Sequence, residues 1–403
     1  MKIFQGKHIL LGITGSIAAF KAAELASRLT QAEALVDVIL TPAAEKFITP
    51  LTLQSVTGRR AFTEADLWGG EAHILHVGLG RSADLLVIAP CTANTLAHLA
   101  HGMADNLLLI TTLAAKCPLL IAPAMDGGMF DHPATQGNIA TLEGRGTFLA
   151  GPAEGHLASG LSGIGRMLEP VELLGHIRKV LGRNGRLVSK KVVISAGGTQ
   201  EPLDPVRVLT NRSSGRQGYA LAQAAIDAGA EVTLITTPTS LTPPVGAHLL
   251  SVQTAKQMLE AVLNESAAAD ILVMAAAVAD FRPKKNEGNK IKKRDGIPQF
   301  ELEATEDILE VVARRRSDSK HPCVVVGFAA ESEALLMNAT EKLKSKRLDL
   351  MVANDISTQD AGFGVETNRV TLLYPNGNQE PLPLMSKGQV ADIIMERIAA
   401  VLE

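Results

Sequence analysis

The stretch KHILLGITGSIAAFK (7–21) runs from an apolar segment of strand length, His8–Ile13, through a turn with two glycines into an Ala-rich stretch of helical length, Ile17–Leu29. Strand, Gly-rich turn and helix in that order make one unit of a parallel α/β sheet. The alternation continues, with apolar runs at Val36–Leu40, Leu85–Ala89 and Leu119–Ala122 separated by Ala/Leu-rich stretches such as Thr92–Leu99. Because these runs are continuous rather than alternating apolar and polar, they belong to strands covered on both faces. The order then starts again. KVVISAGGT (191–199) echoes KHILLGITG (7–15), AGAEVTLITTPTS (228–240) echoes EALVDVILTPAAE (33–45), and ADILVMAAA (269–277) echoes ADLLVIAP (83–90).

The fold class expected is therefore α/β: two doubly wound, Rossmann-like domains with mainly parallel sheets. The boundary falls in RKVLGRNGRLVSKK (178–191), a basic segment without an acid, read as a solvated linker or as a basic rim guiding an anion. This gives domains 1–189 and 190–403. At the far end, RVTLLYPNGNQEPLPL (369–384) reads as an antiparallel hairpin around Asn376-Gly377, added to the edge of the second sheet. Ser386 is then placed to cap a last helix, Lys387–Leu402.

Composition narrows the function. The 403 residues carry Lys+Arg 39 against Asp+Glu 42, a formal charge of −3, so no global basic field exists for nucleic acid or an anionic membrane. Aromatics at 3% leave too few rings for base-stacking modules. Cys91, Cys117 and Cys323 form no CxxC pair, which argues against a disulfide framework or zinc knuckle and fits a reducing cytoplasm. The longest apolar run, Ile271–Ala279, is far shorter than a membrane span, and the N-terminus lacks a signal-peptide core, so neither export nor insertion is expected.

In the first half, Gly12–Lys21 would offer the backbone N–H groups of its glycines and the Ser16 hydroxyl to a phosphate at the positive end of a helix. It is not GxGxxG, and no acid is placed for a ribose, so a mononucleotide fits better than a dinucleotide. Three further stretches follow predicted strand ends, where open α/β sheets bind ligands. They are TPAAEKF (41–47), APCTANT (89–95) with GMADNL (102–107), and PAMDGGM (123–129).

GITGSIAAFK, APCTANTLAHLAHGMADNLL, PAMDGGM and the later SGLSGIGRM (159–167) resemble the flavin-dependent cysteine decarboxylase family that includes phosphopantothenoylcysteine decarboxylase. The resemblance implies FMN as cofactor. In that chemistry a hydride leaves the cysteinyl side chain, the resulting thioaldehyde acts as an electron sink for the departing CO2, and the hydride returns to the enethiol. It implies cofactor contacts at Gly15, Ser16, Ile17, Thr41, Phe47, Ala89, Pro90, Thr92, Asn94, Asp105 and Asn106. The family's catalytic histidine falls on His76 in HVGLGRSAD (76–84), with His73 one turn earlier. Two positions depart from the pattern. Asp126 stands where the family has Asn, and Ser159 where it has the cysteine taken as proton donor, and a serine hydroxyl is a far weaker acid. Asp126 is expected to take over the acid role, its pKa raised by the substrate carboxylate and poor solvation, or else simply to hold a backbone amide in a turn.

In the second half, SAGGTQEPLDPVR (195–207) follows a strand, but its prolines break the expected helix. No Walker GxxxxGK[ST] or Tyr-x-x-x-Lys pair is present. LTNRSSGRQG (209–218) then opens a helix near Tyr219, with amide and hydroxyl groups suited to a phosphate or acyl oxyanion. Asp280 after AAAVA (275–279), and the lysine-dense PKKNEGNKIKKRDG (283–296), suit a triphosphate or its Mg²⁺. Lys342 and Lys346, four apart, are expected on one helix face.

These stretches, with VGFAAES (326–332) and VANDI (352–356), resemble the phosphopantothenate cysteine ligase family. The resemblance implies CTP as activator of the 4'-phosphopantothenate carboxylate, through an acyl-cytidylate that cysteine then attacks. It places Asn211 and Lys290 in catalysis. Nucleotide and substrate contacts fall on Gly198, Ser213, Ser214, Gly215, Ala275, Ala276, Asp280, Phe328, Lys342 and Lys346, and on Asp307 and Ile308 of TEDI (305–308), where the family has NPDI. Mg²⁺ is expected with CTP, its ligands unassigned. Together the resemblances imply a bifunctional, homo-oligomeric enzyme of coenzyme A biosynthesis, binding neither nucleic acid nor membrane. The alternative is a working ligase joined to a flavin-bearing scaffold.

Overall fold

The computed structural model describes residues 2–68, 74–293, 297–331, 335–355 and 364–402. The chain divides into two compact units, Met1–Leu181 and Gly182–Glu403, against the boundary at 189/190 read from the sequence.

The first unit is built on a six-stranded parallel sheet: β1 His8–Ile13, β2 Leu35–Leu40, β3 Ala61–Phe62, β4 Leu85–Cys91, β5 Leu119–Pro123 and β6 Phe148–Leu149, in the order β3-β2-β1-β4-β5-β6. Ile9 of β1 pairs with Val36 of β2 and Leu85 of β4, so β1 is central. One face buries Leu11, Ile13, Val36 and Val38 under helix Ala19–Gln31, whose Ala22, Leu25, Ala26 and Leu29 repeat at helical spacing. The other buries Leu10, Ile39, Leu86 and Ile88 against Leu96, Leu107 and Leu108. Replacing Leu25 or Leu86 by Ala would cost about 2–5 kcal/mol. After β6, β7 Ala153–His156 and β8 Ser162–Arg166 form an antiparallel hairpin. Its tip closes through Leu157 N–H to Leu161 C=O, 2.8 Å, with Gly160 at φ 84°.

The second unit repeats the plan. Its eight-stranded sheet runs β13-β12-β9-β14-β17-β18-β20-β21. The strands are β9 Lys191–Ala196, β12 Glu231–Thr236, β13 His248–Ser251, β14 Ile271–Met274, β17 Val324–Glu331, β18 Leu350–Asp355, β20 Val370–Leu373 and β21 Gln379–Pro381. The three echoed segments occupy matching slots: β9 takes the place of β1, β12 of β2 and β14 of β4. All neighbours are parallel up to β18. β20 and β21 then join antiparallel at the edge, turning at Gly377, φ 87°, and Ser386 Oγ caps helix Lys387–Leu402 through Gln389 N–H at 3.2 Å.

Three short pairs lie outside this sheet: β10 Gln200–Pro202 with β11 Val208–Thr210, β15 Phe281–Pro283 with β16 Leu302–Ala304, and β19 Thr367–Asn368 with β22 Met385–Ser386. Where prolines exclude a helix after β9, the chain thus makes the β10–β11 hairpin. The helix expected near Tyr219 opens at Arg216, behind Gly215 at φ 77°.

The basic segment 178–191 corrects the linker reading. Helix Pro170–Gly182 contains Arg178 and Lys179, while Leu187 is buried in the second core with its N–H on Ala228 C=O at 2.8 Å. Among the described residues no helix is long and apolar enough to cross a membrane.

Candidate active sites

In the first unit, the carboxyl ends of β1 and β4 are laced together by one hydroxyl. Thr14 Oγ donates to Pro90 C=O at 2.7 Å and accepts from Thr92 N–H at 3.2 Å. Thr92 and Asn106 in turn cap helices Ala93–His101 and Leu107–Ala114, which points both N-termini at these strand ends. The turn at Gly15 lies so close to the one after β2 that a Cβ there would stand 2.5 Å from Ala43 Cβ. The result is a cavity of about 580 Å³, lined by Gly15, Ser16, Thr41, Thr92, Asn94, Asp105 and Asn106 of the expected set. Thr14 also lines it, a residue the sequence reading passed over although it sits inside GITG. Ala89 and Pro90 end β4 behind the cavity, and Phe47, half exposed, does not line it.

A second cavity, about 350 Å³, shares Ser16, Ala124 and Met125 with the first. Its walls are apolar, from Ile17, Phe20, Leu157 and Met167, and its far edge is the β7–β8 hairpin. Asp126 and Ser159 meet there, the Ser159 hydroxyl donating to Asp126 Oδ2 at 2.6 Å. Asp126 Oδ1 accepts from Gly128 N–H at 3.0 Å and so caps the short helix Gly127–Phe130. Without substrate these donors, the Ser159 hydroxyl first, favour the ionised form and hold the carboxyl below its ordinary value, the opposite direction to the rise expected beside a substrate carboxylate. Lys21, buried, donates to Met167 C=O at 3.0 Å and Glu169 at 2.9 Å, and Arg166 also pairs with Glu169. His76, on helix Leu75–Ser82, lines neither cavity, and its buried Nδ1 has no partner. His73 lies outside the described residues.

The second unit gathers its motifs around a cavity of about 570 Å³ at the carboxyl ends of β9, β14, β17 and β18. The 211–215 loop supplies Asn211, Ser213, Ser214 and Gly215, and the segment after β14 supplies Ala275, Ala276 and Asp280. Asn211 Nδ2 donates to the carbonyls of Ala277 and Val278 at 3.2 and 3.3 Å. Gly198 lies behind it, where a Cβ would come within 3.0 Å of Asn211 O. Asp307 caps helix Ile308–Ser319 through Glu310 N–H at 3.1 Å and pairs with Lys346. Asp307, Ile308, Phe328 and Lys346 all line the cavity.

Two residues of the expected set, Lys342 and Lys290, do not line the cavity. Lys346 directly follows helix Leu335–Ser345 and its N–H still bonds Lys342 C=O at 3.1 Å, one turn back, but Lys342 does not line the cavity. Lys290 is exposed and also outside it, but its segment is gripped from below. Buried Asp204 accepts Ile291 N–H at 3.1 Å, while Arg207 donates to Ile291 C=O at 2.9 Å and pairs with Asp204. The Arg207 guanidinium and three backbone N–H groups hold Asp204 far below the usual carboxylate range. Arg294–Gly296, Ser332 and Ile356 of the quoted motifs lie outside the described residues. Among the described residues no group of three or more His, Cys, Asp or Glu is arranged to hold a metal ion.

Residues 3–182 match the family described as flavoprotein, and residues 187–402 the DNA/pantothenate metabolism flavoprotein C-terminal domain. The chain is 43% identical to the coenzyme A biosynthesis bifunctional protein CoaBC of Bacillus subtilis (strain 168), over 99% of this chain and 98% of that protein. It is 41% identical to the protein of the same name from Mycobacterium tuberculosis (strain ATCC 25618 / H37Rv), over 98% and 97%. Among solved structures, the C-terminal domain of a coenzyme A biosynthesis bifunctional protein CoaBC aligns with 38% identity and TM-score 0.46, covering 54% of this chain and 98% of that one. The FMN-dependent cysteine decarboxylase SpaF aligns with 33% identity and TM-score 0.37, covering 42% and 95%.

Proposed function

The chain belongs to the family of coenzyme A biosynthesis bifunctional proteins, enzymes that join a decarboxylase to a ligase, and on that premise we propose which unit does what and with which groups. The second unit ligates 4'-phosphopantothenate to cysteine at the expense of CTP, through an acyl-cytidylate. The first decarboxylates the product to 4'-phosphopantetheine with FMN.

One observation carries the ligase reading: four separate sequence stretches, 211–215, 275–280, 305–308 and 328–330, converge on one cavity. The backbone after β14 and Phe328 offer a seat for a base and ribose. Asp307 holds Lys346 against the cavity, where the cation can face a triphosphate. Asn211, its amide fixed on two carbonyls, is placed to steady the acyl-cytidylate. Lys290 neutralises charge on departing pyrophosphate when its segment folds over the nucleotide. Mg²⁺ would arrive with the nucleotide, coordinated largely by phosphates and by Asp280.

In the first unit, the 580 Å³ cavity has the size of a cofactor site, and the Gly15 turn and two helix N-termini suit a phosphate. FMN bound there supplies a hydride acceptor beside the adjoining apolar cavity. Gly15 and Ser16 would hold its phosphate, Thr41, Thr92, Asn94, Asp105 and Asn106 its polar edges, and Ile17, Phe20 and the β7–β8 hairpin would shield the substrate from water. His76 would be contributed by another copy of the chain, consistent with a homo-oligomer. A reducing cytoplasm suits Cys91, Cys117 and Cys323 as thiols.

The test is to supply purified protein with CTP, cysteine and 4'-phosphopantothenate. Pyrophosphate and CMP should form first, then CO2 in equal amount. Absence of pyrophosphate overturns the ligase assignment. Pyrophosphate without CO2 favours the second reading, a ligase carrying a flavin scaffold, for which the hydrogen-bonded, ionised Asp126 speaks.

A further inference from the structure

Asp280 lines the ligase cavity at an exposed position, and among the described residues its carboxylate has no hydrogen bond or ion pair. Where that carboxylate stands is therefore set by the backbone that carries it. After β14 the peptide groups of this segment are taken up one by one. Ala276 N–H donates to buried Ser195 Oγ at 3.1 Å, Ala277 N–H to Gly197 C=O at 2.8 Å, and Ala279 N–H to buried Thr199 Oγ1 at 2.9 Å. Thr305, the residue after β16, then makes two bonds that bracket Asp280. Its hydroxyl donates to Ala279 C=O at 2.5 Å, and its N–H donates to Asp280 C=O at 2.9 Å. The first fixes the peptide plane before the Asp280 Cα and the second the plane after it, so one residue holds both φ and ψ of Asp280. Two positions on, Asp307 caps helix Ile308–Ser319 and pairs with Lys346, so the acidic segment after β14 and the Asp307–Lys346 pair are joined through Thr305.

Any residue but Pro would keep the N–H at position 305, but only a side-chain donor can make the bond to Ala279 C=O. Without it that carbonyl, on a residue only 6% exposed, loses its donor, and the plane leading into Asp280 is released on one side. We propose that Thr305 is a positioning residue for the nucleotide: with Thr199 it clamps the backbone at Ala279 and Asp280, so that the Asp280 carboxylate meets bound CTP at a fixed place. Thr305 lines the cavity itself but acts through Asp280. This rests on the ligase reading, in which Asp280 faces the nucleotide and its Mg²⁺.

The test is calorimetric binding of CTP with Mg²⁺ to the full chain, with amide exchange of the nucleotide-free protein and pyrophosphate release by the parent beside it. Thr305→Val keeps the branched shape and removes the donor. It should weaken CTP binding roughly 10-fold, on the scale of one lost charge-assisted hydrogen bond. Thr305→Ser, which keeps the hydroxyl, should stay within about two-fold of the parent, and Thr305→Ala should reproduce the loss if Thr305→Val folds poorly. On an Asp280→Ala background Thr305→Val should add less than about two-fold, because the group it positions is gone. In the free protein the N–H at position 305 should exchange faster in Thr305→Val than in the parent, and at the parental rate in Thr305→Ser. Unchanged CTP affinity in Thr305→Val, a loss that Thr305→Ser shares, or full additivity with Asp280→Ala would overturn the proposal and leave Thr305 as packing. A parent that binds CTP but releases no pyrophosphate with 4'-phosphopantothenate would sink the ligase reading and leave the clamp standing.

Discussion

Adding one methyl group at Gly15 tests whether the turn after β1 cradles the flavin phosphate. The backbone there is not in the left-handed region, so the only obstacle to Ala is space. A Cβ would lie 2.5 Å from Ala43 Cβ and 3.1 Å from Ala43 C, against a comfortable carbon–carbon distance of about 3.5–4.0 Å. One turn must therefore retreat by about 1–1.5 Å. Neither can do so freely. Thr41 N–H is bound to Ile13 C=O at 3.0 Å, Ala44 N–H to Thr41 C=O at 2.9 Å, and Thr14 Oγ to Pro90 C=O at 2.7 Å. Overpacking of this kind costs about 1–3 kcal/mol. If the phosphate sits on this turn, FMN affinity absorbs much of that cost, and Kd rises roughly 5- to 150-fold. The assay is FMN titration of the apoprotein by fluorescence quenching, with Gly137→Ala as control. Gly137 lies in helix Pro133–Gly144 with open space around it, so Ala there should gain about 0.5–1 kcal/mol in stability and leave FMN binding alone. A Gly15→Ala protein that melts early but binds FMN within two-fold of the parent would refute the cradle.

Ser159→Ala removes the main donor to Asp126, so the carboxyl should titrate closer to its ordinary 3.8 by carboxyl-carbon NMR. Because the folded value is depressed, the pairing stabilises the fold above that ordinary value and is lost as pH falls through the depressed one; it contributes no pH dependence near neutrality. Cys323, exposed, should react promptly with a thiol reagent, whereas Cys91, whose thiol is pushed up by complete burial, should react only on unfolding; fast labelling of Cys91 would show the β4 core to be open. Asp204→Asn should loosen Ile291, seen as faster amide exchange there, and slow pyrophosphate formation up to about 100-fold if a displacement near 1 Å reaches Lys290. On a Lys290→Ala background the same change should add almost nothing, and full additivity would disprove that Asp204 acts through Lys290.

The sheets were legible because continuous apolar runs and strand-to-helix glycines are local signals. The C-terminal hairpin was equally so, since Asn376-Gly377 carries its own turn preference. Strand pairing in 200–210 was not: prolines forbid a helix there but do not say what replaces it. Linear spacing put Lys342 and Lys346 one turn apart, as the Lys346 N–H to Lys342 C=O bond has them, but could not say that only the second reaches the cavity. Lys387 and Asn354 line the same cavity only because β18 and the last helix return to the same strand ends. The partner of Asp126 was hidden for a related reason. The reading supposed a dry, partnerless carboxyl, whereas a hydroxyl 33 residues away in sequence supplies a hydrogen bond that outweighs desolvation.

That hydrogen bond changes what the front cavity prefers. Lys21 and Arg166 line it, but both are committed to Glu169, which leaves one positive charge among the three. Ionised Asp126 cancels that remainder, so a substrate carboxylate enters a pocket without net attraction. Asn at this position would leave the positive charge in place and still accept the Ser159 hydroxyl. Asp126→Asn should therefore tighten binding of the carboxylated substrate by up to roughly five-fold at low salt, the scale of an exposed charge pair, with the gain shrinking as salt is added. Binding of the decarboxylated product, which has lost the charge, should not change. If both ligands gain equally, or if the gain is indifferent to salt, the carboxylate does not approach Asp126, and the hairpin tip closes over some other part of the substrate.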